Sequence, residues 1–181
     1  HVYSRNFTIH DGLPSNTVRC VLKDSHDRMW VGTAAGLCLY DGMEFEVVQN
    51  GSMPAALKVV QGGSRVVQKS SGVGGSGSVA GGDSFEGLGD GVWLHGLPGV
   101  AGENVFCMTE DVYGAMWFGS VNGGLTRFDG REFRHYTTAH GLVSNNVREL
   151  YYSARFDLLF IGCDRGFSVF NGRTFHSFAS F

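Results

Sequence analysis

The feature that most restricts what this chain can fold into is an internal repeat. Residues 28 to 45 read RMWVGTAAGLCLYDGMEF, residues 115 to 133 answer with AMWFGSVNGGLTRFDGREF, and residues 159 to 175 carry a weaker copy, LFIGCDRGFSVFNGRTF. Trp30 and Trp117 are 87 positions apart and Trp117 and Phe160 are 43 apart, so the pitch is about 43 and the first gap spans two periods. A further copy is expected between residues 47 and 98. Its clearest trace is Gly82-Asp83-Ser84-Phe85, in register with Gly42-x-x-Phe45, Gly130-x-x-Phe133 and Gly172-x-x-Phe175.

Each copy parses into four short strands. In the first, Val18 to Lys23 is apolar-rich, Asp24-Ser25-His26-Asp27 is a turn, Met29 to Gly32 is a second strand, and Gly36 punctuates before Leu37 to Tyr40. Asp41-Gly42 is a hairpin turn signal, and Phe45 to Val48 closes the unit. Four antiparallel strands at a period of 40 to 45 residues are the signature of a propeller blade. The predicted class is therefore all-β: a β-propeller of about four four-stranded blades. Residues 1–10 form the outer strand of a preceding or closing blade, followed by blades at 11–49, 50–95, 96–139 and 140–181.

Trp30, Trp117 and Phe160, with Phe45, Phe85, Phe133 and Phe175, are expected to form the core between blades, because a flat sheet buries its faces only against its neighbours. The second blade is degenerate, and residues 71 to 82 (SGVGGSGSVAGG) resemble a flexible linker. The segment reads as a distorted blade or as a long insertion. Counting the segments Tyr3 to Ile9 and Thr174 to Phe181 gives five outer strands for four inner triplets. An open arc, part of a larger ring, or pairing with another chain would each accommodate the spare strand.

Composition narrows the function. Gly supplies 28 of 181 residues, about twice the usual share of roughly 7 per cent, which suits tight turns. A net charge of -3 gives no basic field for nucleic acid. No apolar stretch reaches 18 residues, so no membrane insertion is expected, and the chain reads as soluble and trimmed. Cys20, Cys38, Cys107 and Cys163 form no C-x-x-C pair and read as buried thiols. Asp24-Ser25-His26-Asp27 holds metal-ligand atoms, but a hairpin turn explains it better. No catalytic motif or cofactor fingerprint stands out.

The combined pattern Gly12-Leu13-Pro14-Ser15-Asn16-Thr17-Val18, Asp24, Met29-Trp30-Val31-Gly32-Thr33, Gly36-Leu37 and Tyr40-Asp41-Gly42 resembles the two-component regulator propeller repeat, and recurs as His140-Gly141-Leu142-Val143-Ser144-Asn145-Asn146-Val147. The resemblance implies the extracytoplasmic, periplasmic or extracellular, sensor region of a hybrid histidine kinase. Some such receptors respond to polysaccharide fragments. The kinase, β-sandwich and membrane span of that family are not in these 181 residues.

Candidate ligand-binding residues follow from propeller geometry, in which equivalent loops gather on one face. The loops entering each inner strand carry Asp11, His95 and His140, while Asn16, Asn104 and Asn146 open the strands themselves. The turns around Asn122, Asp164 and Arg165 are expected on the same face, with aromatics such as Trp93 and Tyr113 near. This set would suit an oligosaccharide or other small polar ligand, with a homo-oligomer or neighbouring blades of a longer chain as partners. The asparagines also have a purely local use as turn-formers. A protein-interaction scaffold and a propeller lyase or glycosidase remain as alternatives.

Overall fold

A computed structural model describes residues 5–48, 102 and 104–179. These fold into three four-stranded antiparallel sheets, each in simple sequential order. The first holds β1 (Val18–Lys23), β2 (Met29–Thr33), β3 (Gly36–Tyr40) and β4 (Phe45–Val48). The second holds β5 (Asn104–Glu110), β6 (Met116–Val121), β7 (Gly124–Phe128) and β8 (Phe133–Tyr136). The third holds β9 (Val147–Ser153), β10 (Leu158–Cys163), β11 (Gly166–Phe170) and β12 (Phe175–Ala179). The turn between the third and fourth strands is the same device each time. Asp41, Asp129 and Asn171 each accept two backbone N–H groups through the side-chain oxygen, and the following Gly42, Gly130 and Gly172 take positive φ.

The sheets stack face to face. Trp30 of β2 is fully buried and lies 5.1 Å from Phe118 and 6.0 Å from Phe128, both in the second sheet. Trp117 repeats the arrangement one sheet on, 5.6 Å from Phe170. Close stacking also needs small residues on the second strand of the first and second sheets. A Cβ at Gly119 would stand 2.4 Å from Val147 Cγ1 and 2.5 Å from Cys107 Sγ, and one at Gly32 would stand 3.0 Å from Val105 Cγ1. The first and second sheets, separated by more than fifty residues of chain, are thus direct neighbours, with Cys20 Sγ 3.8 Å from the Val105 carbonyl. The expected second blade at residues 50–95, with Phe85, lies outside the described residues.

Among the phenylalanines of the repeat, Phe133 is buried between the first two sheets, while Phe45 and Phe175 are half-buried. Phe160 departs from the core expectation. It is half-buried beside Tyr151 at 6.3 Å, on a face of the third sheet against which no further described sheet packs. On the same face Phe167 and Phe178 stack at 4.7 Å and are about half exposed. By strand register these two occupy the places that Leu125 and Tyr136 hold in the second sheet, where they are buried.

The amino-terminal strand is a second departure. Residues 5–8 form no strand and lead into a single 3-10 turn, Ile9–Asp11, because no described strand stands beside them to complete a ladder. Phe7 nevertheless sits 5.3 Å from Tyr40 and 5.2 Å from Phe45, as Tyr136 sits 5.5 Å from both Phe170 and Phe175. The segment therefore covers the first sheet as the end of β8 covers the third.

The four thiols are free and packed. Burial pushes Cys20 and Cys163 up to about 11 and Cys38 up to about 12, and raises Cys107 as well. A thiol reagent at pH 8 is expected to leave the native chain unlabelled and to modify all four cysteines after denaturation. One fast-reacting thiol in the folded protein would contradict this packing.

Candidate functional site

In a sequentially ordered antiparallel sheet, the turns alternate between two edges. The sheet-to-sheet loops and the turns between second and third strands share one edge, where most of the predicted residues lie. Asp11 and His140 hold equivalent places at the end of 3-10 turns, Ile9–Asp11 and Thr138–His140. Asp11 Oδ2 accepts from the Thr8 N–H at 2.9 Å, and His140 Nδ1 accepts from the Thr137 N–H at 2.9 Å. The carboxylate oxygen and the ring nitrogen do the same local work, which explains how Asp and His exchange at this position.

Asn16 is likewise a turn-former: its Oδ1 accepts from the Ile9 N–H at 2.8 Å. Its counterpart is Asn145, which accepts from the Thr138 N–H at 2.9 Å. The expected equivalence of Asn16 with Asn104 and Asn146 is therefore one residue out of step. Strand register aligns Val18, Val105 and Val147, so Asn104 and Asn146 stand where the first copy has Thr17. Asn104 Oδ1 is buried without a hydrogen-bond partner among the described residues.

Three predicted residues do meet. Asn146 Oδ1 accepts from the Asn122 N–H at 2.8 Å, while its Nδ2 donates to Asp164 Oδ2 at 2.8 Å. Ser144 Oγ donates to Asp164 Oδ1 at 2.6 Å, and the Ser144 and Asn146 donations hold the Asp164 carboxyl below its ordinary value. Arg165 is exposed beside it. This cluster ties the second sheet to the third, with Asn122 and Asp164 exposed at its rim. His95 and Trp93 lie outside the described residues.

The opposite edge, built from the first-to-second and third-to-fourth strand turns, holds a cavity of about 360 Å³ between the second and third sheets. Tyr113, expected near the other residues, belongs here, because the turn Asp111 to Ala115 lies at this edge. Asp111 Oδ1 accepts from the N–H groups of Tyr113 and Ala115, and its Oδ2 accepts from Trp117 Nε1, each at 2.9 Å. Asp157, at φ +52°, accepts from the hydroxyls of Tyr152 and Tyr113, and these two donations keep its carboxyl below the usual range. Arg127, Arg134 and Arg173 complete the polar lining, over a floor of Trp117, Tyr136, Leu159 and Phe170.

Sequence reasoning overlooked these arginines, although aligning the copies reveals them. Arg127 and Arg134 stand where the first copy has Leu39 and Glu46 and the third described sheet has Val169 and His176. The turn Asp24 to Asp27 is structural in the same way as Asp111. Asp24 accepts from the N–H groups of His26 and Arg28, from Arg28 Nε and from Trp30 Nε1 at 2.7 Å. Among the described residues no cluster of metal-ligating side chains occurs.

Residues 12–35 match the sequence family of two component regulator propellers. No curated protein sequence matches the chain. Solved structures share its fold. The extracellular domain of BT3049 from B. thetaiotaomicron, described as a hybrid two component system, is 17% identical over 97% of this chain and 20% of its own, with a TM-score of 0.64. The extracellular domain of BT4673 from the same organism, described as a one component system, is 13% identical over 91% of this chain and 19% of its own, with a TM-score of 0.57. PorZ, a surface component of the type-IX secretion system of Porphyromonas gingivalis, is 15% identical over 91% of this chain and 17% of its own, at 0.50. The chain thus spans about a fifth of the length of these structures.

Proposed function

Taking the chain as a carrier of the two component regulator propeller repeat, we propose that it is an extracytoplasmic, periplasmic or cell-surface, ligand-sensing module of a bacterial signalling receptor. It works by binding a small polar ligand, an oligosaccharide in the first instance, and not by making or breaking bonds. The observation that carries this reading is the family repeat at residues 12–35, joined to a fold shared with extracellular domains of bacterial signalling systems. Fold alone does not fix a ligand, so the ligand class rests on the polar and aromatic cavity between sheets.

The three sheets read as blades of a propeller whose ring is larger than the described part. Support comes from the outer face of the third sheet, where Phe160, Phe167 and Phe178 repeat positions that a neighbouring sheet covers elsewhere. A further blade of a longer chain, or a second copy, would cover this face. The same exposed aromatics favour a second reading, a protein-interaction scaffold.

The test is a thermal-shift screen of the purified chain against a panel of oligosaccharides. A saturable rise with one glycan class is expected, since a ligand bound only by the folded state adds about 2.7 kcal/mol at a hundred times its Kd. A cooperatively melting chain that no glycan shifts, but that a protein partner does, would replace the sensor reading with the scaffold.

A further inference from the structure

The first strand of each sheet stands at the end of its sheet, and β1, β5 and β9 all carry a β-bulge at the same place. Val18 and Cys20 oppose Thr33 and Gly32, Val105 and Cys107 oppose Ser120 and Gly119, and Val147 and Glu149 oppose Cys163 and Gly162. The extra residues are Arg19, Phe106 and Arg148. A bulge re-aims a side chain that the pleat would otherwise send to a sheet face. Here it gathers the three across sheets: the guanidinium carbon of Arg19 lies 4.8 Å from the centre of the Phe106 ring, and that of Arg148 lies 4.7 Å from it. The second sheet stands between the first and the third, so the two cations reach the ring from opposite sides and are at most about twice that distance apart.

Both arginines are exposed and the ring between them is half-buried. Neither guanidinium forms an ion pair or donates a hydrogen bond among the described residues. Asp164 feels the charge of Arg148, but its two oxygens accept from Ser144 and Asn146, and Arg165 stands next to it in the chain. Glu149 is turned to the strand face beside Gly162, where an added Cβ would stand 3.3 Å from its own. A guanidinium stacked on a ring uses its flat face and keeps its N–H groups, which lie in the plane, open to an acceptor. Packing does not require the pair, since Arg155 stands alone over Phe156 at 5.2 Å.

We infer that this flank of the stack is a binding site for a short dicarboxylate, with one acid group on Arg19, the other on Arg148, and the connecting carbons against the Phe106 ring. Guanidinium forks match the planar carboxylate, and joining two weak contacts in one molecule makes the second effectively intramolecular. The site shares no residue with the lining of the cavity between the second and third sheets. It goes beyond the glycan reading, which the thermal-shift screen tests with different ligands.

Heteronuclear NMR of the isotope-labelled 181-residue chain tests it by following the arginine Nε–H signals during titration with succinate, glutarate and adipate. Acetate and inorganic phosphate serve as single-anion controls, all at constant ionic strength. The expected result is a saturable shift at Arg19 and Arg148, with one dicarboxylate binding roughly tenfold or more tighter than acetate while Arg155 stays unmoved. Arg19→Gln and Arg148→Gln change exposed residues, so the melting temperature should hold while each variant brings that dicarboxylate down to the affinity of acetate. Acetate or phosphate binding the wild type as tightly as the best dicarboxylate would overturn recognition at two points. Shifts of equal size at Arg155, or no saturable shift at Arg19 and Arg148, would overturn the site altogether. Either failure leaves the glycan reading standing on its own screen.

Discussion

Trp117→Ala is expected to destabilise the chain by about 3–5 kcal/mol, and Trp30→Ala by a similar amount. Each ring is buried between two sheets, with its nearest aromatic neighbour across the interface in the next sheet: Phe170 for Trp117 and Phe118 for Trp30. Truncation leaves a hole that two flat surfaces cannot collapse to fill, and it also removes the donor to Asp111 or Asp24. Chemical denaturation of each variant, monitored by far-ultraviolet circular dichroism, measures the loss. A cost below about 1 kcal/mol would mean that the rings do not wedge the sheets apart.

The second large effect concerns the carboxylates beneath those rings. Asp24→Ala and Asp111→Ala are each expected to cost about 3–5 kcal/mol, because buried N–H donors from a turn and an indole lose their acceptor together. The third sheet shows the residues changing as a pair: Ser153 replaces the acid where Phe160 replaces the indole. The double change Asp24→Ser with Trp30→Phe is thus expected to cost less than the sum of its parts, a coupling that a double-mutant cycle reads directly.

Asp24 also sets an acid limit. Burial alone would raise its carboxyl, but the donations from Trp30 and from the backbone and side chain of Arg28 outweigh it and hold the group below the usual carboxylate range. A carboxyl lowered in the folded state contributes stability above its unfolded value, near 3.9, and that stability is lost as pH falls through the lower folded value. The melting temperature should fall below about pH 4, and fall less steeply in Asp24→Asn.

What the sequence revealed follows from what repeats locally. The Trp positions, the Asp-Gly turns and the strand boundaries depend on residues a few positions apart, so three copies disclose them without knowledge of any interface. The position of the cavity depends on which faces meet. Arg127, Arg134 and Asp157 converge only once the second sheet lies on the third, so the local pattern points to the other edge, where the polar residues recur in each copy. Asn16 and Asn146 differ in role because they are not equivalent: counted from Gly12-Leu13 and Gly141-Leu142, Asn16 matches Asn145, and Asn146 stands where the first copy has Thr17. Of the outer strand expected over Tyr3 to Ile9, residues 5–8 form no ladder, because a strand is a property of a pair and no described strand stands beside them.

Direct contact between the first and second sheets, across more than fifty residues of chain, is what makes Trp30 a wedge between blades. Nuclear Overhauser spectroscopy of the labelled chain tests it most directly. Cross-peaks are expected from the Trp30 indole to the Phe118 ring, 5.1 Å away between ring centres, alongside those from Trp117 to Phe170. Cross-peaks from Trp30 to residues between 50 and 95, with none to Phe118, would place another blade between the two sheets and contradict it.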